Sequence, residues 1–159
     1  MTQLWQKAVV AVLFPLLGVS AGAADLTEAA VHSLLSGVDF AASRKSDSLL
    51  SRYFADNAII TQNIRSGSGS SNHQILRMTR QQYLEIMRET WLSVDEYQLV
   101  RRGTQIEIVG DQAVVRSTVI ETVAYGGRRY SAHSTQTLTV ELSGDQPRIV
   151  AAVANLTMP

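Results

Sequence analysis

The chain has 159 residues, with 14 Lys+Arg against 14 Asp+Glu, 45% hydrophobic residues and no cysteine. The length of one domain, a full share of apolar residues and a zero net charge exclude a disordered chain and a disulfide scaffold. The lack of cysteine removes thiolate metal sites and cysteine nucleophiles, and the even charge balance argues against nucleic acid as a partner.

The first segment reads as an address. Lys7 is the only charge before Asp25, and Ala8 to Leu17 is apolar apart from Pro15. Small residues follow, and Ala21-Gly22-Ala23 fits an A-x-A cleavage box. These features predict a signal peptide over 1–23 and a mature domain over 24–159, with a cut after Ala24 nearly as good. The apolar run is short for the roughly 20 residues of a membrane span, and no cysteine follows it for lipid attachment. The mature chain is therefore expected to keep no stable membrane anchor. Losing Lys7 and no acid leaves 13 bases against the same 14 acids, a charge of −1. Export without cysteine predicts a bacterial periplasmic or secreted protein that does not depend on disulfides.

Helices come first in the mature chain, then strands. Leu26, Ala30, Leu34, Val38 and Ala41 recur at helical spacing and predict an amphipathic helix over about 25–45. Ser46 offers a cap for a short second helix whose apolar side is Leu49, Leu50, Tyr53 and Phe54. Ala58 to Ile64 reads as a strand, and Arg65 to Asn72 as a Gly/Ser loop at the rim of the fold. Thr79 followed by Gln82 is a capping box opening a third helix, with Tyr83, Ile86, Met87, Thr90 and Trp91 along its buried side. From Tyr97 the period is two, and 97–109, 112–125, 128–142 and 148–156 read as strands joined by glycine-containing hairpin turns. The expected class is α+β, in the order α-α-β-α-β-β-β-β, with the helices against one face of an antiparallel sheet.

Three stretches in this order carry a resemblance. They are Tyr53-Phe54-Ala55-Asp56-Asn57-Ala58, the hairpin Ile106-Glu107-Ile108-Val109-Gly110-Asp111-Gln112-Ala113-Val114-Val115, and the hairpin Ser143-Gly144-Asp145-Gln146-Pro147-Arg148-Ile149-Val150. With them the chain resembles the nuclear transport factor 2-like superfamily, including its SnoaL-like and ketosteroid isomerase-like members, over about residues 26–156. The last hairpin lacks the tryptophan usual in that family. The resemblance implies a cone: a curved antiparallel sheet wrapped around the long N-terminal helix, with a pocket at its open end. It also implies a homodimer through the outer sheet face, which is rich here in Thr and Ser. In the isomerase-like members a first-strand carboxylate abstracts a proton beside a carbonyl, and that position falls on Gln62. An amide takes no proton near neutral pH, so this base is missing.

The remaining candidates come from alternation. Ala113, Val115, Ser117, Val119 and Glu121 share one face, which places Glu121 inward near the cone mouth as a candidate catalytic acid or base. Pairing with Arg128 or Arg129 across the hairpin is the commoner role for such a residue. Gln62, Tyr53, Tyr83, Gln136 and Asn155 are the expected ligand-binding residues, Asn155 by sharing a face with Ile149, Ala151 and Val153. Trp91, Tyr97 and Tyr130 are further aromatic candidates, with Trp91 more at home in the core. His32, His73 and His133 have no ligand spacing, so neither a metal site nor a cofactor is expected. Asp56 reads as a turn residue. The functional expectation is an exported pocket protein that binds a small hydrophobic or amphipathic molecule without catalysis. Its alternatives are a cofactor-free isomerase, cyclase or dehydratase using Glu121, and a periplasmic protein-interaction module.

Overall fold

The structure, a computed structural model, describes residues 25–66 and 73–158. The expected signal peptide and most of the Gly/Ser loop lie outside the described residues. Helix α1 (Glu28–Ser43) begins at Thr27, whose hydroxyl accepts from the Ala30 amide at 3.2 Å. Its apolar stripe is the one the spacing predicts: Val31, Leu34, Leu35, Val38, Ala41 and Ala42 are all buried. Each sealed Leu or Val contributes about 1.5–3 kcal/mol relative to exposure, which makes this stripe the centre of the core. Lys45, just past the helix, donates to the Val94 carbonyl at 3.0 Å and to that of Asp95 at 3.2 Å, tying the end of α1 to a distant connection.

Ser46 caps α2 (Asp47–Leu50) by accepting from the Leu49 amide, and a 3-10 turn (Ser51–Tyr53) leads into β1 (Phe54–Ser66). The strand is longer than the β-branched run at its centre, because it passes through an irregularity between Phe54 and Ile59. Strand β2 (His73–Thr79) has no counterpart in the sequence-based order. Its first three residues are exposed, Ile75 among them, and its alternation is confined to the short Leu76-Arg77-Met78-Thr79 run with Met78 buried, too brief to mark a strand by itself. The capping box forms as its residues predict: Gln82 N reaches Thr79 Oγ1 at 3.3 Å and Thr79 N reaches Gln82 Oε1 at 3.0 Å, opening α3 (Arg80–Ser93). Strands β3 (Glu96–Val109), β4 (Gln112–Tyr125), β5 (Arg128–Ser143) and β6 (Gln146–Met158) complete the chain.

The six strands make one curved, unclosed sheet in the order β2-β1-β6-β5-β4-β3. The class is α+β as expected, with two differences. An extra strand lies at the β2 edge, and β1 pairs with β6 in parallel, so the sheet is mixed rather than wholly antiparallel. No hairpin joins those two strands, and only a hairpin would have imposed the antiparallel direction. Helix α1 packs mainly on β3, and α3 packs on β1 and β2 with Met87 and Trp91 as its buried residues. None of the described helices is long and apolar enough to cross a membrane.

Candidate functional site

Between the helices and the concave sheet face lie two adjoining spaces. The inner one has about 60 Å³ of room and apolar walls that include Val38, Ala42, Leu138 and Ile149. The outer one is a wide basin of about 700 Å³ bordered by Ile86, Thr90, Val123 and Tyr130. Gln62, Met87, Tyr97 and Glu121 line both, so these four side chains form the throat.

Alternation on β4 places Glu121 there. Val115 and Val119 are fully buried and Ser117 is nearly so, which confirms that this face points inward. The partner of Glu121 differs from the one its neighbours in sequence suggest. Arg129 pairs instead with Glu96 across the rim at 2.6 Å. Glu121 Oε1 accepts a hydrogen bond of 2.6 Å from the Tyr97 hydroxyl. Strand pairing explains the choice: Leu99 faces Glu121 across β3–β4 and Tyr97 faces Val123, so the longer phenol reaches back along the inner face. Burial, and then the adjacent negative charge of Glu121, push the Tyr97 phenol well above its ordinary pKa, which keeps it protonated and donating. Burial raises the Tyr83 phenol as well, with Glu121 adding to the shift and Arg101 opposing it. Trp91 stands edge-on to Tyr97 at 5.8 Å, and its buried indole N–H makes no hydrogen bond of good geometry among the described residues.

The innermost polar group is one that the sequence analysis passed over. The Arg101 side chain is only 7% exposed and lines the inner chamber. Its Nε and Nη2 grip Asp39 of α1, with the shortest contact at 2.9 Å, while Nη1 donates to Ser117 Oγ at 2.8 Å and to Gln136 Oε1 at 3.3 Å. The bidentate fork neutralises the guanidinium where water is scarce. It also orients Gln136, whose oxygen accepts from Arg101 and which lines the chamber. The period that exposed Glu121 contains Arg101 too, since Tyr97, Leu99 and Arg101 alternate on the inner face of β3.

Of the five expected ligand-binding residues, the structure brings Gln62, Tyr83 and Gln136 to the cavity. It takes Tyr53 and Asn155 elsewhere. Tyr53 lies against Gly37 of α1, where any Cβ would overlap the phenol ring, and borders a separate surface depression near Arg148. Asn155 is exposed on the outer face, where it accepts from Asn63 Nδ2 at 2.8 Å and donates to Thr135 at 3.4 Å. The cause is a register shift in β6: Ile149 pairs with Val140 but Ala151 pairs with Thr139. The extra residue reverses the faces beyond it, so Ala152 and Ala154 point to the cavity in place of Asn155. His133 is exposed, and His32 lies near Glu28 on the surface of α1. Among the described residues no group of three or more His, Asp or Glu is gathered as a metal set would be. Asp56 is exposed and pairs with Arg80 at 2.8 Å, as a residue at the strand entrance.

The architecture is that of the nuclear transport factor 2-like fold. No protein-family model matches the sequence, and no curated protein matches it. Solved structures do. A protein from Novosphingobium aromaticivorans, provisionally assigned as a scytalone dehydratase, superposes with a TM-score of 0.66 at 14% identity, over 82% of this chain and 83% of its own. A provisionally assigned dehydratase of the nuclear transport factor 2-like family from Streptomyces avermitilis gives 0.64 at 16% identity, over 82% and 96%. A nuclear transport factor 2-like protein with a cystatin-like fold, also from N. aromaticivorans, gives 0.62 at 14% identity, over 80% of each chain. At these identities the likeness is one of fold, and this fold hosts its chemistry in whatever side chains line the concavity.

Proposed function

We propose that this chain binds a small hydrophobic or amphipathic molecule in the chamber and basin, without a cofactor. One observation carries the reading: an apolar concavity lined by three polar side chains, Gln62, Tyr83 and Gln136, the last oriented by Arg101. A few convergent polar groups in an otherwise apolar hollow is the usual make-up of a small-molecule site. The amide at Gln62, where isomerase-like relatives carry a carboxylate, favours binding over that particular chemistry. In this reading the protein is exported and pairs through its polar outer sheet face. The leader-like residues 1–23 support the first point and the Thr-rich face the second.

The Glu121–Tyr97 hydrogen bond in the throat favours a second reading, proton transfer in an isomerisation or elimination. Glu121 Oε2 takes the proton in that case, while the protonated Tyr83 phenol steadies a developing oxyanion. The dehydratase names borne by two of the fold neighbours point the same way.

One experiment separates the two. The mature protein is screened by thermal shift against small amphipathic compounds, and each hit is followed by mass spectrometry. A ligand at about 100 times its Kd adds about 2.7 kcal/mol of stability. The binding reading expects such shifts without product, and expects Ala154→Leu, which fills the chamber, to abolish them. Product that disappears in Glu121→Gln at unchanged Tm establishes the second reading. A full set of shifts retained in Ala154→Leu rejects the chamber as part of the site.

A further inference from the structure

The charges inside the concavity do not balance. Arg101 and Asp39 cancel one another in a bidentate pair. At the rim Arg129 and Glu96 do the same. Glu121 is left over: among the described residues its carboxylate meets a phenol and no cation within ion-pair distance. The segment 67–72, Gly-Ser-Gly-Ser-Ser-Asn, carries no charge that could supply one. A carboxylate in a half-enclosed apolar hollow is costly unless a positive charge joins it.

We infer that the ligand of this cavity is a small primary amine, bound as its ammonium with Glu121 as counter-ion. This rests on the ligand-binding reading above and adds the charge and chemical class of the ligand. The groups around the throat suit an ammonium. Glu121 Oε1 is held by Tyr97, and Oε2 carries no hydrogen bond among the described residues, on a side chain that lines both spaces. The Gln62 amide oxygen and the Tyr83 hydroxyl oxygen are two further acceptors lining the same space, so a three-proton donor finds three acceptors. The rings of Phe54 and Tyr83 meet at 5.6 Å on the chamber side and add negative π-faces. The Asp39 carboxylate paired with Arg101 weakens the repulsion that the guanidinium exerts on the cation. The chamber's roughly 60 Å³ is several times the ~10–15 Å³ that one water needs, which fits a compact polar head. The apolar body of the amine lies in the basin over Ile86 and Val123.

The test uses three probes of one shape and three charges: benzylamine, benzyl alcohol and benzoate, titrated calorimetrically into the mature protein at neutral pH. The ammonium should bind about tenfold to a hundredfold more tightly than the alcohol, the range of a charge-assisted hydrogen bond, and benzoate should bind least. Glu121→Gln should bring amine and alcohol to within about twofold of each other, and Glu121→Asp, which keeps the charge, should retain the preference. Equal binding of amine and alcohol, preferred binding of benzoate, or an amine preference that survives in Glu121→Gln overturns the inference and leaves the binding reading standing. If all three probes fail while other amphipathic compounds give thermal shifts, the inference alone falls. If the whole compound screen is silent as well, both fall.

Discussion

Asp39→Asn is the substitution whose cost can be worked most directly from the coordinates. It keeps the shape of the side chain and removes its charge. What remains is the Arg101 guanidinium, 7% exposed, with three neutral acceptors, the amide oxygen introduced at position 39, Ser117 and Gln136, and no anion within ion-pair distance among the described residues. Breaking a buried pair from one side costs about 3–5 kcal/mol when both ions are fully enclosed. Asp39 is still 30% exposed, so water offsets part of the loss, and about 2–3 kcal/mol is expected. Arg101→Met should behave differently. It removes the buried charge along with its partner's need for it, the orphaned Asp39 can hydrate, and the methionine fills the stem's volume, so the cost should stay within about 1 kcal/mol. The double variant should resemble Arg101→Met. Urea unfolding of all four proteins, with m-values compared, reads these differences as midpoint shifts. The reasoning is refuted if Asp39→Asn costs less than about 0.5 kcal/mol, or if Arg101→Met costs as much as Asp39→Asn.

Two further outcomes follow from the same packing. Tyr83 and Tyr97 are held protonated in the fold beyond the point at which a tyrosine in the unfolded chain, with a pKa near 10, ionises. The unfolded chain therefore binds fewer protons than the native one above about pH 10. Stability is full below that pH and falls as pH rises toward the elevated native values. Denaturant midpoints measured from pH 8 to pH 11 should show the decline, and Tyr97→Phe should reduce its steepness by about one proton; an unchanged slope rejects the assignment. Gly37→Ala should destabilise by about 1–3 kcal/mol despite alanine's gain of about 1 kcal/mol in a helix, because the new methyl overlaps the Tyr53 ring. Thermal melts in a Tyr53→Ala background should recover most of that loss, and no recovery means the clash lies elsewhere.

Where one periodicity ruled a segment, its residues could be read directly. The α1 stripe, the Thr79–Gln82 box and the inward face of β4 follow from helical or twofold spacing that nothing interrupts, and Glu121 came to the throat for that reason. Where a local irregularity intervened, the pattern misled. A single extra residue in β6 carried Asn155 from the inner to the outer face, a change the Ile149 to Asn155 alternation does not betray. Strand β2 has an exposed first half, and the inward pair Leu76 and Met78 in its second half is too short an alternation to stand out. The partner of Glu121 depended on geometry rather than order: Arg129 is near in sequence but reaches Glu96, while Tyr97 comes from the neighbouring strand. Arg101 and Asp39 were hidden by habit. A charged residue within an apolar alternation is commonly taken as solvated, and only the opposing helix reveals its counter-charge.

Because the sheet does not close, among the described residues it has two free borders of unequal character. Along β3 the pairing is interrupted between Arg102 and Gln105, where Gly103 takes a φ of +60°, so the backbone amides there do not run in an even row. Along β2 the row is regular from His73 to Thr79 and carries an exposed isoleucine at position 75. A foreign extended chain seeking backbone partners meets a kink on one side and a straight seven-residue ledge on the other. In crowded or heated solution, self-association should start at that ledge, and an arginine or proline at Ile75 is the change that would blunt it.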